Sequence, residues 1–324
     1  MTSYREAGVD LEAADRHVES IAASVTATWG SGVIGGFGGF AAGVRLPSGM
    51  TDPVLMMTTD GVGTKLEIAR RTGRWAGVGH DLVAMCVDDL AAVGARPLGF
   101  VDYMAVGSLS AERDRAIVAS IAEACSAAGC PLLGGETAEH PGVMGRDDVD
   151  LAGAALGVVE AGAVLGPERV VSGDAIVGLV SPNVRSNGFS LIRAALGDDV
   201  LGHAADLLEP SVIYSPAVMA AVAGGGVHAA AHVTGGGLPG NLARALPDGL
   251  GADLDTAAWE RPPIFGLLAE RGVTEQEMRR TFNLGIGFCL VVAGEAVGEV
   301  MGAAADHAPR VIGEVSPGSG VTMR

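Results

Sequence analysis

Asp60-Gly61-Val62-Gly63-Thr64-Lys65 lies between an apolar run at 54–57, which suits a strand, and a segment at 66–71 with the spacing of a short helix. Its two glycines let the backbone approach a ligand closely. Asp60 can hold a cation, the Thr64 hydroxyl can donate to a phosphate, and Lys65, the only lysine of the chain, can neutralise phosphate charge. The hexapeptide is therefore a candidate phosphate site, although an Asp-Gly turn that merely joins two elements is the commoner meaning of such a sequence.

The composition indicates a two-domain protein that does not bind nucleic acid or membranes. The chain has 324 residues, of which 48% are apolar, and this length favours two domains over one. The formal net charge of -17 argues against a nucleic-acid or anionic-membrane surface, because phosphate contacts need clustered lysine and arginine. An anionic substrate would need locally placed basic groups, metal ions or helix N-termini.

The cysteines and the N-terminal residues favour a cytoplasmic protein. The chain has four cysteines without the paired spacing of a metal site: Cys86, Cys125, Cys130 and Cys289. We interpret them as buried thiols in a reducing environment. The N-terminal residues are acidic rather than basic and apolar, so no signal peptide is predicted.

The first half of the chain favours an α+β domain, because its helices and strands do not follow a repeating βαβ rhythm. Helices are predicted at 9–27, 79–93 and 110–128, and strands at 96–106, 131–133 and 150–159. The glycine run Gly35-Gly36-Phe37-Gly38-Gly39-Phe40 is equally consistent with a lid over a ligand and with a mobile connection.

The predicted helix at 79–93 carries three aspartates on two faces. Asp89 falls within the apolar stripe, whereas Asp81 and Asp88 share another face. A carboxylate on a buried stripe is costly unless a cation or hydrogen-bond donors satisfy it, so Asp89 is the better ligand candidate. Capping or pairing with an arginine is the alternative.

A second domain is predicted from residue 166 to 324, after the break at Gly166-Pro167. Strands are predicted at 175–180, 228–233, 285–292 and 310–315, the last of the chain, and helices at 189–196, 213–222, 238–246 and 295–305. The first domain accordingly spans residues 1–165.

Two helices of the second domain begin after small residues, namely Ser186-Asn187-Gly188 and Thr234-Gly235-Gly236-Gly237. Free N–H groups at a helix N-terminus together with glycine can bind an anion, so both segments are candidate sites for a phosphorylated substrate. Taken singly, each is more typical of an ordinary cap. His232 is either a core residue or a base beside the second segment, and Asn283 lies in a glycine-lined approach whose alternative role is strand packing.

These segments together resemble the phosphoribosylformylglycinamidine cyclo-ligase family over essentially the whole chain. The matching segments are 3–10, 35–40, 60–65, 81–90, Gly134-Gly135-Glu136-Thr137-Ala138-Glu139, 186–188, 232–237 and 281–283. The resemblance implies an α+β N-terminal domain whose strands build a β-barrel across a homodimer, and a C-terminal α/β sandwich domain.

The resemblance also implies a reaction and roles for residues. The family uses ATP to convert formylglycinamidine ribonucleotide into aminoimidazole ribonucleotide through an iminophosphate in purine biosynthesis. Mg²⁺ would be held by Asp60, Asp89 and Glu136. ATP would contact a set of small and charged residues: Gly35, Gly36, Gly38, Gly39, Asp60, Gly61, Gly63, Thr64, Lys65 and Asp81. The ribonucleotide would contact Ser186, Asn187, Gly188, Thr234, Gly235, Gly236 and Asn283, with Lys65, His232 and Arg185 as catalytic candidates.

Four departures from the family pattern concern the expected site. The family usually has histidine where this chain has Arg185, asparagine where it has Asp88, methionine where it has His140, and basic residues ahead of the glycine run, where 24–31 has none. Arginine cannot act as a base at neutral pH, so that role passes to His232 or His140, or is absent. These departures motivate one alternative, a paralogue that activates another amide or carboxylate with ATP. A second alternative, of another class, is a non-catalytic nucleotide-binding protein.

Overall fold

The computed structural model describes residues 10–324 and has α+β architecture with two separate main sheets. Of the N-terminal matching segment at 3–10, only Asp10 lies within the described residues, where its carboxylate caps the first helix. No helix in the described part of the chain is long and apolar enough to cross a bilayer.

The first half contains a four-stranded sheet with helices against one face. Its helices and strands, in chain order, are α1 (Leu11–Ala27), β1 (Val33–Ile34), β2 (Gly43–Val44), β3 (Pro53–Gly61), α2 (Leu66–Thr72), α3 (Val78–Ala92), β4 (Arg96–Val106), α4 (Ala111–Ala127), β5 (Leu132–Glu139) and β6 (Val149–Glu160). The sheet order is β3-β6-β4-β5, with only β4 and β5 parallel among its pairs. The strands β1 and β2 pair with each other, so the glycine run is the loop that connects them.

The second half contains a six-stranded sheet. Its helices and strands are β7 (Ala175–Val180), α5 (Phe189–Leu196), α6 (Ala204–Leu207), α7 (Ser215–Gly224), β8 (Val227–His232), α8 (Gly237–Ala243), β9 (Leu250–Leu254), α9 (Pro263–Glu270), α10 (Glu275–Thr281), β10 (Ile286–Val292), α11 (Val297–Ala303), β11 (Arg310–Pro317) and β12 (Gly320–Met323). The order is β12-β9-β11-β7-β10-β8, antiparallel except between β12 and β9.

Helix α3 lies where the two halves meet. It packs against β3, β6 and α4 on one side and against β8 and α7 on the other. Residues from Leu82 to Asp88 are all buried. At Gly79 the helix approaches α4 so closely that an added Cβ would lie 2.1 Å from the backbone nitrogen of Ile121. The placement of α3 therefore brings aspartates of the first half against loops of the second half.

Three predictions about the elements need correction. The strand predicted from 310 is not the last one, because β12 follows it. The sequence patterns did not reveal β9, α9 or α10, which are short. Strand β3 extends through Gly61, so Asp60 lies in a strand rather than in a turn. The domain boundary at 165/166 stays a prediction, and the strands of the two sheets are separated by residues 161–174.

Candidate active site

A cleft of about 610 Å³ separates β3 and the end of α3 from β8 and α8. Asp60 and Thr58 of β3 line one wall, and His232 and Thr234 line the other. Both walls carry polar side chains because β3 and β8 reach the cleft at the ends of their apolar runs. The cleft thus places carboxylates of the first half opposite hydroxyl and imidazole groups of the second half.

Asp89 is held from both halves of the chain. One of its carboxylate oxygens lies 2.8 Å from Nδ1 of His232, and the other accepts a hydrogen bond of 3.2 Å from Thr58 Oγ1. The Asp89 side chain is 40% exposed, whereas that of His232 is 2% exposed. Asp89 therefore presents a fixed carboxylate to the cleft.

Asp60 is the second carboxylate of this cleft. One of its oxygens accepts a hydrogen bond of 2.7 Å from the N–H of Gly61. Partial burial of the carboxyl raises its pKa, and the negative charge of Asp89 acts in the same direction, against the Gly61 hydrogen bond and His232. A cation bound beside Asp60 and Asp89 would offset the repulsion between their negative charges.

The small-residue segments predicted as phosphate sites lie close together. The hydroxyls of Thr64 and Ser190 are 3.1 Å apart, which places the first turn of α5 beside the 60–65 segment. An added Cβ at Gly235 would lie 3.4 Å from Oδ1 of Asn187, so the loops before α5 and α8 are also neighbours. The structure therefore brings together the 60–65, 186–190 and 234–236 segments.

The predicted metal set of Asp60, Asp89 and Glu136 is not assembled within one chain. Asp60 belongs to a row of cross-strand neighbours with Gly153, Asp102 and Gly135, and Glu136 lies in the next row. Because adjacent residues of a strand point to opposite faces, the side chains of Asp60 and Glu136 lie on opposite faces of the sheet. Their strands, β3 and β5, are also three strand spacings apart, which is about 14 Å. Within residues 10–324, no group of three or more His, Cys, Asp or Glu side chains has the arrangement of a metal site.

Glu136 lies instead in a second cleft, of about 640 Å³, together with the glycine run. Gly36, Gly38 and Gly39 line this cleft with Asp102. The prediction that the glycine run and Lys65 surround the same phosphates is therefore not met by a single chain. Whether the run acts as a lid stays a prediction.

Lys65 and Asp81 form a buried ion pair rather than a phosphate site. Neither side chain is exposed, and Nζ of Lys65 lies 2.8 Å from an oxygen of Asp81. The other donors of the ammonium reach the carbonyl oxygens of Arg185 and Glu209 at 3.2 and 2.9 Å. Burial lowers the pKa of Lys65, opposed by Asp81. The three donors of Lys65 are engaged in this arrangement, and the roles of Lys65 and Asp81 in binding ATP stay predictions.

Arg185 and Asn283 are also buried away from the cleft. The Arg185 guanidinium donates to Asp88 at 2.8 Å, and its side chain is 1% exposed. The Asn283 amide donates to the carbonyl of Asn183 and its oxygen accepts the N–H of Gly285, both at 2.9 Å. Both side chains are engaged in contacts within the protein, and the catalytic role of Arg185 and the substrate contact of Asn283 stay predictions.

The two histidines that could act as a base, His232 and His140, lie in different places. Nδ1 of His232 faces Asp89, and its Nε2 is buried, 3.9 Å from Asp88. His140 contacts the Tyr103 hydroxyl at 3.0 Å through Nε2, in the row that contains Glu136 rather than in the cleft. His232 thus contacts Asp89 directly, and its role as a base stays a prediction.

Sequence reasoning missed the parts played by Thr58, Asp88 and Asp102. Asp102 is buried in β4, and burial raises the pKa of its carboxyl to about 7. A signal was present, because alternation along β4 places Asp102 on the same face as Phe100 and Met104, which are buried. The contacts of Thr58 and Asp88 join residues 31 and 97 positions apart, and local patterns carry no information on such pairs.

Comparison with known proteins gives the same family over both halves. The model of the AIR synthase related protein N-terminal domain matches residues 39–159, and that of the C-terminal domain matches residues 171–324. Phosphoribosylformylglycinamidine cyclo-ligase from Sorangium cellulosum (strain So ce56) is 48% identical, covering 97% of this chain and 95% of that protein. The chain belongs to the phosphoribosylformylglycinamidine cyclo-ligase family. The enzyme of the same name from Synechococcus sp. (strain CC9605) is 47% identical, covering 89% of this chain and 88% of that protein.

Solved structures show how widely this fold occurs beyond the cyclo-ligase family. Thiamine-monophosphate kinase from Stenotrophomonas maltophilia K279a aligns with a TM-score of 0.66 at 22% identity, covering 94% of each chain. The hydrogenase maturation protein HypE in complex with ATP aligns with a TM-score of 0.64 at 18% identity, covering 93% of this chain and 84% of that one. At these identities the likeness concerns the fold alone.

Proposed function

We propose that this chain is an ATP-dependent cyclo-ligase that forms aminoimidazole ribonucleotide from formylglycinamidine ribonucleotide in purine biosynthesis. The observation that carries the proposal is the cleft in which Asp60 and Asp89 face the loops of the second half. Membership in the cyclo-ligase family and full-length similarity to enzymes of that name support it.

The proposed reaction solves a leaving-group problem. An amide oxygen leaves poorly, so the amide oxygen of the ribonucleotide attacks the γ-phosphorus of ATP and ADP departs. The neighbouring amidine nitrogen then attacks the activated carbon, the ring closes, and the former amide oxygen leaves as part of inorganic phosphate. The protein contributes mainly by placing the two substrates in line and by shielding phosphate charge.

Asp60 and Asp89 fit a Mg²⁺ ion. This ion commonly binds to one or two carboxylates and completes its shell with water and substrate phosphates, so a third protein ligand is not required. Burial and the negative charge of Asp89 raise the pKa of Asp60, and a cation bound between the two carboxylates would act against both causes. When bound, the metal would neutralise charge on the transferred phosphoryl group. Gly61, Gly63 and Thr64, which follow Asp60 directly, would contact the phosphates.

The ribonucleotide is proposed to occupy the side of the cleft formed by the second half. Its contacts would come from the two neighbouring loops: Ser186, Asn187, Gly188, Thr234, Gly235 and Gly236. Arg244 lines the same cleft and supplies a positive charge in a strongly acidic chain. A guanidinium at this position suits the 5′-phosphate of the ribonucleotide.

We propose that two chains pair through the open face of the four-stranded sheet to build a β-barrel. Large apolar side chains are exposed on this sheet: Leu55, Met57, Val101 and Tyr103. An exposed apolar surface of this kind marks an interaction site. Glu136 lies in the same row as Tyr103, so pairing would carry it toward the second chain. Its metal contact and the glycine-run contacts to ATP are proposed to be made across the homodimer.

The two alternatives gain no support from the site. Arg185 and Asp88, two of the departures that suggested another substrate, are buried against each other rather than exposed in the cleft. Neighbouring carboxylates without a catalytic or metal-binding role would destabilise a protein that only binds a nucleotide.

Product formation by the purified protein tests the proposal. With Mg²⁺ and ATP, phosphate release is expected to depend on formylglycinamidine ribonucleotide and to match imidazole product detected by mass spectrometry one to one. Release of phosphate only with some other amide would favour the paralogue, and ATP binding without turnover would favour the non-catalytic alternative.

A further inference from the structure

We propose that Arg185 and Asp88 are one positioning unit that holds His232, and through it Asp89, at the wall of the cleft. The inference rests on the proposed function, because Asp89 is the residue whose placement matters for the reaction. It assigns a role to two buried, paired residues that do not line the cleft themselves.

The Arg185–Asp88 ion pair is buried, and the Arg185 guanidinium makes further contacts around it. Nη2 of Arg185 lies 2.8 Å from Oδ2 of Asp88, with side chains 1% and 0% exposed. The guanidinium also donates to the carbonyl oxygens of Gly287 and Val212 at 3.0 and 3.2 Å, and its carbon lies 4.9 Å from the centre of the Tyr214 ring. Arg185 therefore has little freedom to move.

Asp88 is equally constrained on its other side. Its Oδ1 accepts hydrogen bonds from the backbone N–H groups of Tyr214 and Ser215 at 2.8 and 2.9 Å. The backbone of Arg185 is held as well, since its N–H donates to Asn183 at 2.9 Å and its carbonyl accepts from Lys65 at 3.2 Å. The pair thus ties α3 of the first half to two loops of the second half.

His232 lies between this pair and the cleft. Its Nε2 is 3.9 Å from Oδ2 of Asp88, the oxygen that Arg185 binds, and has no hydrogen-bond partner among the residues described. Its Nδ1 is 2.8 Å from Asp89. Arg185, Asp88, His232 and Asp89 therefore lie in sequence, with hydrogen-bond distances at both ends and an approach of 3.9 Å between Asp88 and His232.

The two buried residues compensate each other in charge. Asp88 places a negative charge in a buried position, and Arg185 places a permanent positive charge against it. Breaking such a pair leaves an uncompensated buried charge, whereas replacing both partners by neutral groups removes the problem. Single replacements should therefore harm the protein much more than the double replacement.

The experiment is a double-mutant cycle with Asp88→Asn, Arg185→His and the double variant. Each single variant is expected to lower kcat for the imidazole product by at least about tenfold, with KM for the ribonucleotide changed less than about twofold. The double variant is expected to recover kcat to within about threefold of the wild type. Asp199→Asn and Arg271→His, which break a surface ion pair of the same chemistry, are the matched control and should change kcat less than about twofold.

A second measurement keeps the test independent of turnover. The ring-nitrogen NMR signals of His232, assigned by their loss in His232→Gln, are expected to move in each single variant and to return toward the wild-type positions in the double variant. Additive losses in kcat with no recovery, an effect confined to KM, or unchanged His232 signals would each overturn the proposal. If the wild type formed no imidazole product, the proposed function would fail, and the NMR cycle would still decide the positioning role.

Discussion

Asp81, Asp88 and Asp89 belong to one helix and have three different surroundings. Asp81 pairs with Lys65 and Asp88 with Arg185, both without exposure to solvent. Asp89 alone reaches the cleft. The helical wheel placed Asp89 in the apolar stripe and suggested that it was the buried one, but α3 is covered on nearly all sides. Which carboxylate remains open is decided by where the basic partners lie, and these come from the second half.

Replacing Asp89 tests the proposed metal site at the scale of one residue. Asp89→Asn keeps the shape of the side chain but removes the charge offered to Mg²⁺ and to His232, so kcat should fall by about 100-fold or more. Steady-state assays at several Mg²⁺ concentrations are the measurement. Asp198→Asn, an exposed carboxylate outside the cleft, is the control. Full activity of Asp89→Asn at ordinary Mg²⁺ concentrations would remove Asp89 from the site.

Replacing Lys65 separates a structural from a phosphate-binding role. Lys65→Met leaves the buried carboxylate of Asp81 without its cation, which should reduce the free energy of unfolding by about 3–5 kcal/mol in urea titrations. Arg70→Met, which breaks an exposed pair with Glu67, should cost about 0–1 kcal/mol. Unchanged stability combined with lost ATP affinity would restore the role that the sequence suggested for Lys65.

Asp102 makes stability depend on pH in a definite direction. The pKa of its carboxyl is about 7 in the folded protein against an ordinary value of 3.8, so the folded state binds the proton more tightly than the unfolded state. The contribution of Asp102 to the free energy of unfolding is therefore greatest below about pH 4 and is lost as the pH rises to about 7. The free-energy difference between wild type and Asp102→Asn should change by roughly 2–4 kcal/mol over this range. Unfolding experiments at pH 4–8 that give a constant difference would contradict the assigned cause.

At the scale of elements, the contact between α3 and α4 depends on Gly79. A methyl group there would meet the backbone of Ile121, which cannot move aside as a side chain can. Gly79→Ala should therefore lower the free energy of unfolding by at least about 2 kcal/mol. Gly298→Ala, in an exposed helix with nothing within 4 Å of the new Cβ, should be neutral or slightly stabilising. Equal stability of the two variants in urea unfolding would show that α3 can shift away from α4.

The elements that the sequence predicted well are those with long, regular patterns. Strands β4 and β7 and helix α5 have the predicted bounds, because apolar residues at strand or helix spacing end at clear polar or glycine positions. Strands β9 and β12 have only a few residues each and pair with each other. Such short strands form because a neighbouring strand is available for pairing, and the local sequence does not indicate that neighbour.

The candidate site was predictable as a set of segments but not as an arrangement. The 60–65, 186–188 and 234–236 segments do come together, and their glycines and hydroxyls were the signal. The buried pairs made by Lys65 and Arg185 join positions 16 and 97 residues away, and nothing near either residue indicates its partner. The separation of Glu136 from Asp60 follows from strand order, which a sequence without a repeat does not specify.

At the scale of the whole molecule, the exposed apolar face of the four-stranded sheet tests the proposed homodimer. Met57 is 76% exposed, and Met57→Glu would place a charge in the proposed interface. This variant should shift the protein toward the monomer mass in light scattering at micromolar concentration. Val143→Glu changes another exposed apolar residue, 83% accessible, and should leave the mass unchanged. A monomeric wild type would contradict the homodimer.

The measurement that tests the account most directly follows the amide oxygen. Formylglycinamidine ribonucleotide labelled with ¹⁸O at the formyl oxygen is incubated with the protein, Mg²⁺ and ATP, and the released phosphate and imidazole product are analysed by mass spectrometry. We expect one labelled oxygen in each phosphate and one imidazole ribonucleotide for each ADP. Unlabelled phosphate, or phosphate without imidazole product, would contradict the proposal that this protein activates the amide oxygen with ATP.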